Sequence, residues 1–129
     1  MDKVVHFEIP FDNQKRAEKF YSGIFGWKLQ AIPEMDYVMA YAAATDESHM
    51  VTDKGAINGG MFPRSSEAKA PIVVIGVASI DETIEKVLAA GGKVVSPKRP
   101  IPNGSYARIA DCEGNVIGIA DSSGTSPTP

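Results

Sequence analysis

The chain has 129 residues, with 13 Lys and Arg against 16 Asp and Glu, 43% hydrophobic residues and one Cys. That length fits one compact domain, and the apolar share beside 22% charged residues supports a real core, which excludes a disordered or collagen-like chain. A single Cys excludes an intrachain disulfide and the thiolate sites of zinc fingers and iron–sulfur clusters, and a net charge of −3 gives no reason to expect nucleic acid as a partner.

Met1-Asp2-Lys3 runs directly into an alternating pattern, without the basic and apolar regions of an export signal, so a cytoplasmic protein is expected. From Val4 to Pro10, Val5, Phe7 and Ile9 fall on one strand face and Val4, His6 and Glu8 on the other. Asp12 or Asn13 can cap a helix whose stripe is Ala17, Phe20, Tyr21 and Ile24, and Gly26 ends it. Three strand candidates follow, Trp27 to Ala31, Tyr37 to Ala44 and Ala56 to Phe62, with a polar, exposed loop from Thr45 to Gly55. His49 lies in that loop and reads as exposed. Residues 63–70 form a connector rather than a boundary between large domains.

The plan then restarts. Ile72 to Ala78 places Val73, Ile75 and Val77 on one face, and Ser79-Ile80-Asp81-Glu82 is a capping box that opens a second helix. Its stripe is Ile80, Ile84, Val87 and Leu88, and Gly91-Gly92 stops it. Strands follow at Lys93 to Pro97, Ser105 to Asp111 and Asn115 to Asp121, the last two joined by the turn Asp111-Cys112-Glu113-Gly114; the tail, residues 122–129, reads as frayed. No stretch reaches the roughly 20 apolar residues of a membrane helix. Matching Gly26 to Gly92 gives an offset of 66 that sets His6 opposite Ile72, so the chain repeats one plan, strand-helix-strand-strand-strand, twice. Modules at 3–62 and 71–121 within a single domain follow. Each helix should cover its own sheet face, over Val5, Phe7 and Ile9 in one module and Val73, Ile75 and Val77 in the other.

The strand His6-Phe7-Glu8-Ile9-Pro10, the helix Ala17-Glu18-Lys19-Phe20-Tyr21 running into Phe25-Gly26-Trp27, and the closing Asp111-Cys112-Glu113-Gly114-Asn115-Val116-Ile117-Gly118 resemble the glyoxalase, bleomycin-resistance and extradiol-dioxygenase superfamily, also called vicinal oxygen chelate proteins. The resemblance spans residues 3–121. It implies an α+β fold of two tandem βαβββ modules, a curled mixed sheet forming a cup with helices on its outer face, a homodimer, and a small-molecule ligand on the concave side. Metal-holding members draw a His or Gln, a Glu, a His and a Glu from the first and last strands of each module. Carried over one at a time, these positions fall on His6, near Asn58, on Ile72 and on Gly118. Ile and Gly offer no ligand, so the usual metal site is not expected; any divalent ion would depend on His6 and Glu8 with Asn58.

The residues themselves leave several readings open. His6 and Glu8, on one strand face, suit either an acid–base pair in which the carboxylate raises the imidazole pKa, or a hydrogen-bonded polar pair. Asn58 suits a ligand carbonyl or strand backbone at a bulge. Tyr37, Met39 and Tyr41 share a face, read here as core packing with a ligand wall as the alternative. Tyr106 and Arg108 share a face whose direction the spacing does not fix; inward, Arg108 could meet a carboxylate or phosphate. Lys93, Lys98, Arg99 and Arg108 read as solvated charge or as an anion-facing patch. Cys112 lacks the basic neighbours that activate a thiolate, and Gly59-Gly60 argues for close approach inside a strand. The expected lining is therefore His6, Glu8, Asn58, Ile72, Val74, Tyr106, Arg108 and Gly118. The expected function is binding of a small, partly apolar organic molecule, with a lyase or isomerase using His6 and Glu8 as the alternative and metal-dependent lactoylglutathione lyase chemistry last.

Overall fold

The computed structural model describes residues 1–48 and 50–122. His49 and most of the expected frayed tail lie outside the described residues. The elements are β1 (Lys3–Phe11), α1 (Gln14–Phe25), β2 (Lys28–Ile32), a 3₁₀ turn at Pro33–Met35, β3 (Tyr37–Tyr41), β4 (Gly59–Pro63), β5 (Ile72–Gly76), α2 (Ile80–Ala89), β6 (Lys93–Ile101), β7 (Gly104–Ala110) and β8 (Val116–Asp121). This is the α+β class and the doubled βαβββ order expected from the sequence. The chain divides into two compact units, His6–Pro71 and Met1–Val5 with Ile72 onward, so the division falls inside β1.

In the first unit the strand order is β2-β3-β4-β1. β1 runs parallel to β4, with Glu8 opposite Gly60, and β3 is antiparallel to both β2 and β4. Asn13 caps α1 by accepting the Arg16 N–H at 2.9 Å, and Gly26 closes it at φ 71°, a conformation that a Cβ disfavours. The core is Phe11, Val38, Ala40 and Met61, with Phe7, Ile9, Ala17, Tyr21, Trp27 and Leu29 packed against it. Met61 is fully buried, which contributes about 1.5–3 kcal/mol through the hydrophobic effect. Of the expected helical stripe only Ala17 and Tyr21 reach this core; Phe20 and Ile24 are exposed. Phe20 packs edge-on against the rings of Tyr21 and Phe25.

In the second unit the order is β5-β8-β7-β6. β5 is parallel to β8, with Val74 opposite Gly118, and β7 is antiparallel to both β8 and β6. Ser79 Oγ accepts the Glu82 N–H, and the carboxylate of Asp121 accepts the Ile80 N–H at 2.9 Å, so two of the donors that a helix start leaves unpaired are satisfied. Ile80, Ala107, Ile109 and Ile119 form the core, joined by Val77, Ile84, Val87 and Ile117. Leu88, expected in the buried stripe, is exposed. Val5 and Val73, expected under the helices, are also exposed: each stands near the start of its strand, and the core forms further along. β6 continues past Pro97 to Ile101. Its prolines are tolerated because the strand lies at the end of the order and its ladder with β7 is interrupted by bulges.

Candidate functional site

Strand alternation sorts each unit into a helix face and an open face. On β3, Val38 and Ala40 enter the helix-side core, so Tyr37, Met39 and Tyr41 project to the other side and remain partly exposed. The core-packing reading of that trio is corrected: the residues between them fill the core. The same parity puts His6 and Glu8 of β1 and Gly60 of β4 on the face of Tyr37 and Met39, since Glu8 pairs with Gly60 and Gly60 with Met39.

These residues form one hydrogen-bonded chain. The Tyr37 hydroxyl donates to Glu8 Oε2 at 3.0 Å and lies 2.8 Å from His6 Nε2. Because the hydroxyl has one proton and gives it to the carboxylate, its lone pair accepts from Nε2–H, which assigns the neutral ring to the Nε2–H tautomer and leaves the basic lone pair on Nδ1. Glu8 is buried and His6 partly so. Burial holds the His6 pKa below its ordinary 6.5, outweighing the attraction of the Glu8 carboxylate, which pulls it upward. The expected net rise is therefore reversed, because removing the imidazolium from water costs more than the nearby negative charge returns.

Gly60 makes this chain possible. A Cβ at that position would overlap the Tyr37 ring and hydroxyl, so the phenol can cross β4 to reach β1 only above a residue without a side chain. At Gly59 the overlap is with Phe7. Asn58 precedes the strand; its Oδ1 accepts the Ala42 and Ala43 N–H groups at 2.9 and 2.8 Å. That oxygen is committed to the backbone, and ladder register makes Gly60, opposite Glu8, the counterpart of Gly118, opposite Val74.

The second unit repeats the geometry with other chemistry. Tyr106, Arg108 and Gly118 share the face away from the α2 core, which settles the direction that the spacing left open. Tyr106 is buried and lies over Gly118, where a Cβ would meet its hydroxyl at 2.8 Å and Val74 Cγ2 at 3.0 Å. Arg108 Nε donates to the Tyr106 hydroxyl at 3.0 Å, and the Arg99 guanidinium stands 5.2 Å from the ring centroid. Ile72 and Val74 are buried apolar side chains on the same face.

This donor set does not fit the four-ligand metal site that the resemblance implies. Ile72 and Gly118 have no donor atom and the Asn58 oxygen binds two backbone N–H groups. Among the described residues, no three His, Cys, Asp or Glu side chains come together to hold an ion.

Sequence and structure comparisons agree with this architecture. Residues 3–40 match the family model described as Bleomycin resistance protein-like N-terminal. The chain is 34% identical over 118 residues to the Glyoxylase-like domain-containing protein of Didymella fabae, covering 87% of this chain and 88% of that one. It is 31% identical over 110 residues to "Putative glyoxylase CFP32" of Mycobacterium bovis and Mycobacterium tuberculosis, covering 83% of this chain and 41% of theirs, so it matches about two fifths of their length. Among solved structures, a hypothetical protein from Bacillus halodurans C-125 gives a TM-score of 0.62 at 18% identity over 98% of this chain and 99% of that one. A methylmalonyl-CoA epimerase in complex with methylmalonyl-CoA and NH4+ gives 0.62 at 17% identity, over 98% and 99%. The chain belongs to the glyoxalase, bleomycin-resistance and extradiol-dioxygenase superfamily.

Proposed function

We propose that this domain binds a small, partly apolar organic molecule against the open face of the His6 unit and moves a proton on it, as a lyase or isomerase that uses side chains in place of the four-ligand metal site. The observation that carries this reading is the chain from His6 Nε2 through the Tyr37 hydroxyl to Glu8. A neutral imidazole held in one tautomer presents Nδ1 as a base. When Nδ1 takes a proton, the Nε2 proton can pass to the Tyr37 oxygen while the phenolic proton passes to Glu8. The ring then stays neutral, the positive charge is cancelled in the buried carboxylate, and every proton is accounted for. Positioned groups of this type contribute about 10²–10⁴-fold to a rate. Tyr37, Met39 and Tyr41 supply an apolar, polarisable wall for the rest of the ligand. Neighbours of the same fold include an epimerase solved with methylmalonyl-CoA, which supports a small-molecule reading.

The test is exchange of substrate-derived protons in heavy water, followed by NMR, with methylmalonyl-CoA and a methylglyoxal thiohemiacetal as carbon acids. Exchange is expected to fall at least about 100-fold in His6→Asn and about 10-fold in Tyr37→Phe, with binding retained. Exchange unchanged in both variants would sink the relay. A second reading is a binding module that sequesters its ligand without turnover. The apolar side chains at Ile72 and Val74 and the match to a bleomycin-resistance family model favour it. Tight binding with no exchange of either compound is its signature. A homodimer and a cytoplasmic location complete the proposal.

A further inference from the structure

The two modules repeat one plan, so a feature that one has and the other lacks is not required by the fold. Two such differences fall side by side in the first unit. β2 and β6 are equivalent strands, each at the end of its own unit's order. β6 is a protected edge: Pro97 and Pro100 remove amide donors, Lys93, Lys98 and Arg99 add charge, and two irregularities interrupt its ladder with β7. β2 pairs with β3 in an unbroken register over Lys28–Ile32 and holds no proline. Every second residue of an antiparallel strand turns its N–H and C=O away from its partner. Among the described residues, no backbone bond outside the β3 ladder reaches residues 28–32. The second difference lies at the helix end that leads into this strand. Matching Gly26 to Gly92 sets Phe20, Ile24, Phe25 and Trp27 opposite Lys86, Ala90, Gly91 and Lys93. Phe20, Ile24 and Phe25 are each more than half exposed, and the Tyr21 and Phe25 rings stand 5.0 and 6.1 Å from that of Trp27, the residue before β2. An exposed apolar corner of this kind marks an interaction surface.

We infer that two copies of this chain join edge to edge through β2, antiparallel about a two-fold axis at Gln30. The segment is self-complementary in that arrangement. Leu29 faces Ala31, Lys28 faces Ile32, and the exposed Lys28 comes within diagonal reach of the exposed Glu34 of the other copy, twice over. Neither Lys28 nor Glu34 takes part in an ion pair among the described residues, and a parallel arrangement would set lysine beside lysine. The same axis brings the Phe25–Trp27 corner of one copy alongside the Pro33–Met35 turn of the other, where Met35 is also exposed. Strand pairing then supplies register, and the apolar corner adds area that main-chain bonds alone lack. This names the surface behind the homodimer reading and rests on that reading, while the proton relay plays no part in it.

The test is sedimentation velocity of the full chain over a range of concentrations at low salt, which reads the dimer constant. Wild type is expected to dimerise. Lys28→Glu and Glu34→Lys should each weaken the dimer about 5-fold or more, and the charge-swapped double variant should recover most of the wild-type constant, because a two-fold pairing returns opposite charges to both contacts. Gln30→Lys, at an exposed position, sets two cations face to face on the axis and should weaken the dimer as well. Lys93→Glu, on the β6 edge, should leave it unchanged. A monomer at every concentration overturns this inference and the homodimer reading together. A dimer that ignores all three β2 variants, that the double variant fails to restore, or that Lys93→Glu weakens equally overturns the β2 surface alone and leaves the homodimer reading in place.

Discussion

Replacing Gly60 by Ala is the most direct perturbation of the site that leaves every polar group in place. The added Cβ overlaps the Tyr37 ring and hydroxyl, so the phenol must leave its position over β4. Two hydrogen bonds go with it: one to the buried Glu8 carboxylate, of a kind contributing about 1.5–3 kcal/mol, and one to His6, contributing about 0.5–1.5 kcal/mol. A loss of roughly 2–4 kcal/mol follows, and for a domain of this length that lowers the melting temperature by about 8–16 °C. Denaturant titration of Gly60→Ala, Tyr37→Ala and the double variant checks the cause and not only the size. In the Tyr37→Ala background the Cβ has no ring to displace, so the cost of Gly60→Ala should fall below about 1 kcal/mol. Gly23→Ala is the control: nothing lies within 4 Å of that Cβ in the α1 interior, and the exchange should stabilise by about 0.5–1 kcal/mol. If Gly60→Ala costs the same with and without the Tyr37 ring, the phenol does not depend on Gly60 and the reasoning fails.

Three further outcomes follow from the same geometry. The folded-state pKa of His6 lies below the 6.5 of the unfolded chain, so protonation favours unfolding. Stability is therefore full above about pH 6.5, falls as the pH drops through that value, and levels off once the folded imidazole also protonates; pH-dependent denaturation should show this slope in wild type and lose it in His6→Gln. Gly118→Ala should cost less than Gly60→Ala, about 1–2 kcal/mol, because the closest atom to its Cβ, the Tyr106 hydroxyl, lies at 2.8 Å, whereas a Cβ at Gly60 overlaps the Tyr37 hydroxyl and ring outright, and calorimetry can rank the two. Asn58→Ala, which removes the acceptor of an exposed and a part-buried backbone N–H, should destabilise by about 0.5–1.5 kcal/mol, measured by denaturant titration.

Much of the fold was legible because its signals are local. The Asn13 cap, the stop at Gly26, the Ser79 cap and the spacing between the two helix ends need only nearby residues, and they place both modules. What the sequence hid was long-range parity. Tyr37, Met39 and Tyr41 look like core because they are large and alternate with small residues; Val38 and Ala40 take the core because α1 sits on their side. That Tyr37 bridges His6 and Glu8 depends on the β1–β4–β3 register, joining residues 29 and 31 positions apart. The adjacent glycines were a readable clue to close approach, but the sequence alone does not name the approaching side chain. Likewise, no spacing rule predicts the β6 bulge that sets Arg99 opposite Tyr106.

The two modules also show why the metal positions cannot be read independently of their surroundings. Register makes Tyr37, Gly60, Glu8 and His6 in one module equivalent to Tyr106, Gly118, Val74 and Ile72 in the other. In both, a tyrosine on the third strand occupies the space above a glycine on the fourth. The resemblance sets a closing carboxylate at Gly118, and any side chain there would first have to displace the Tyr106 hydroxyl and Val74. The two modules differ in what reaches the phenolic oxygen. In the first module it lies between an imidazole and a carboxylate; in the second it receives an arginine N–H. One geometric device thus sets a phenol between an imidazole and a carboxylate in one module and against an arginine in the other, and the division follows from the residues that each first and third strand brings to it.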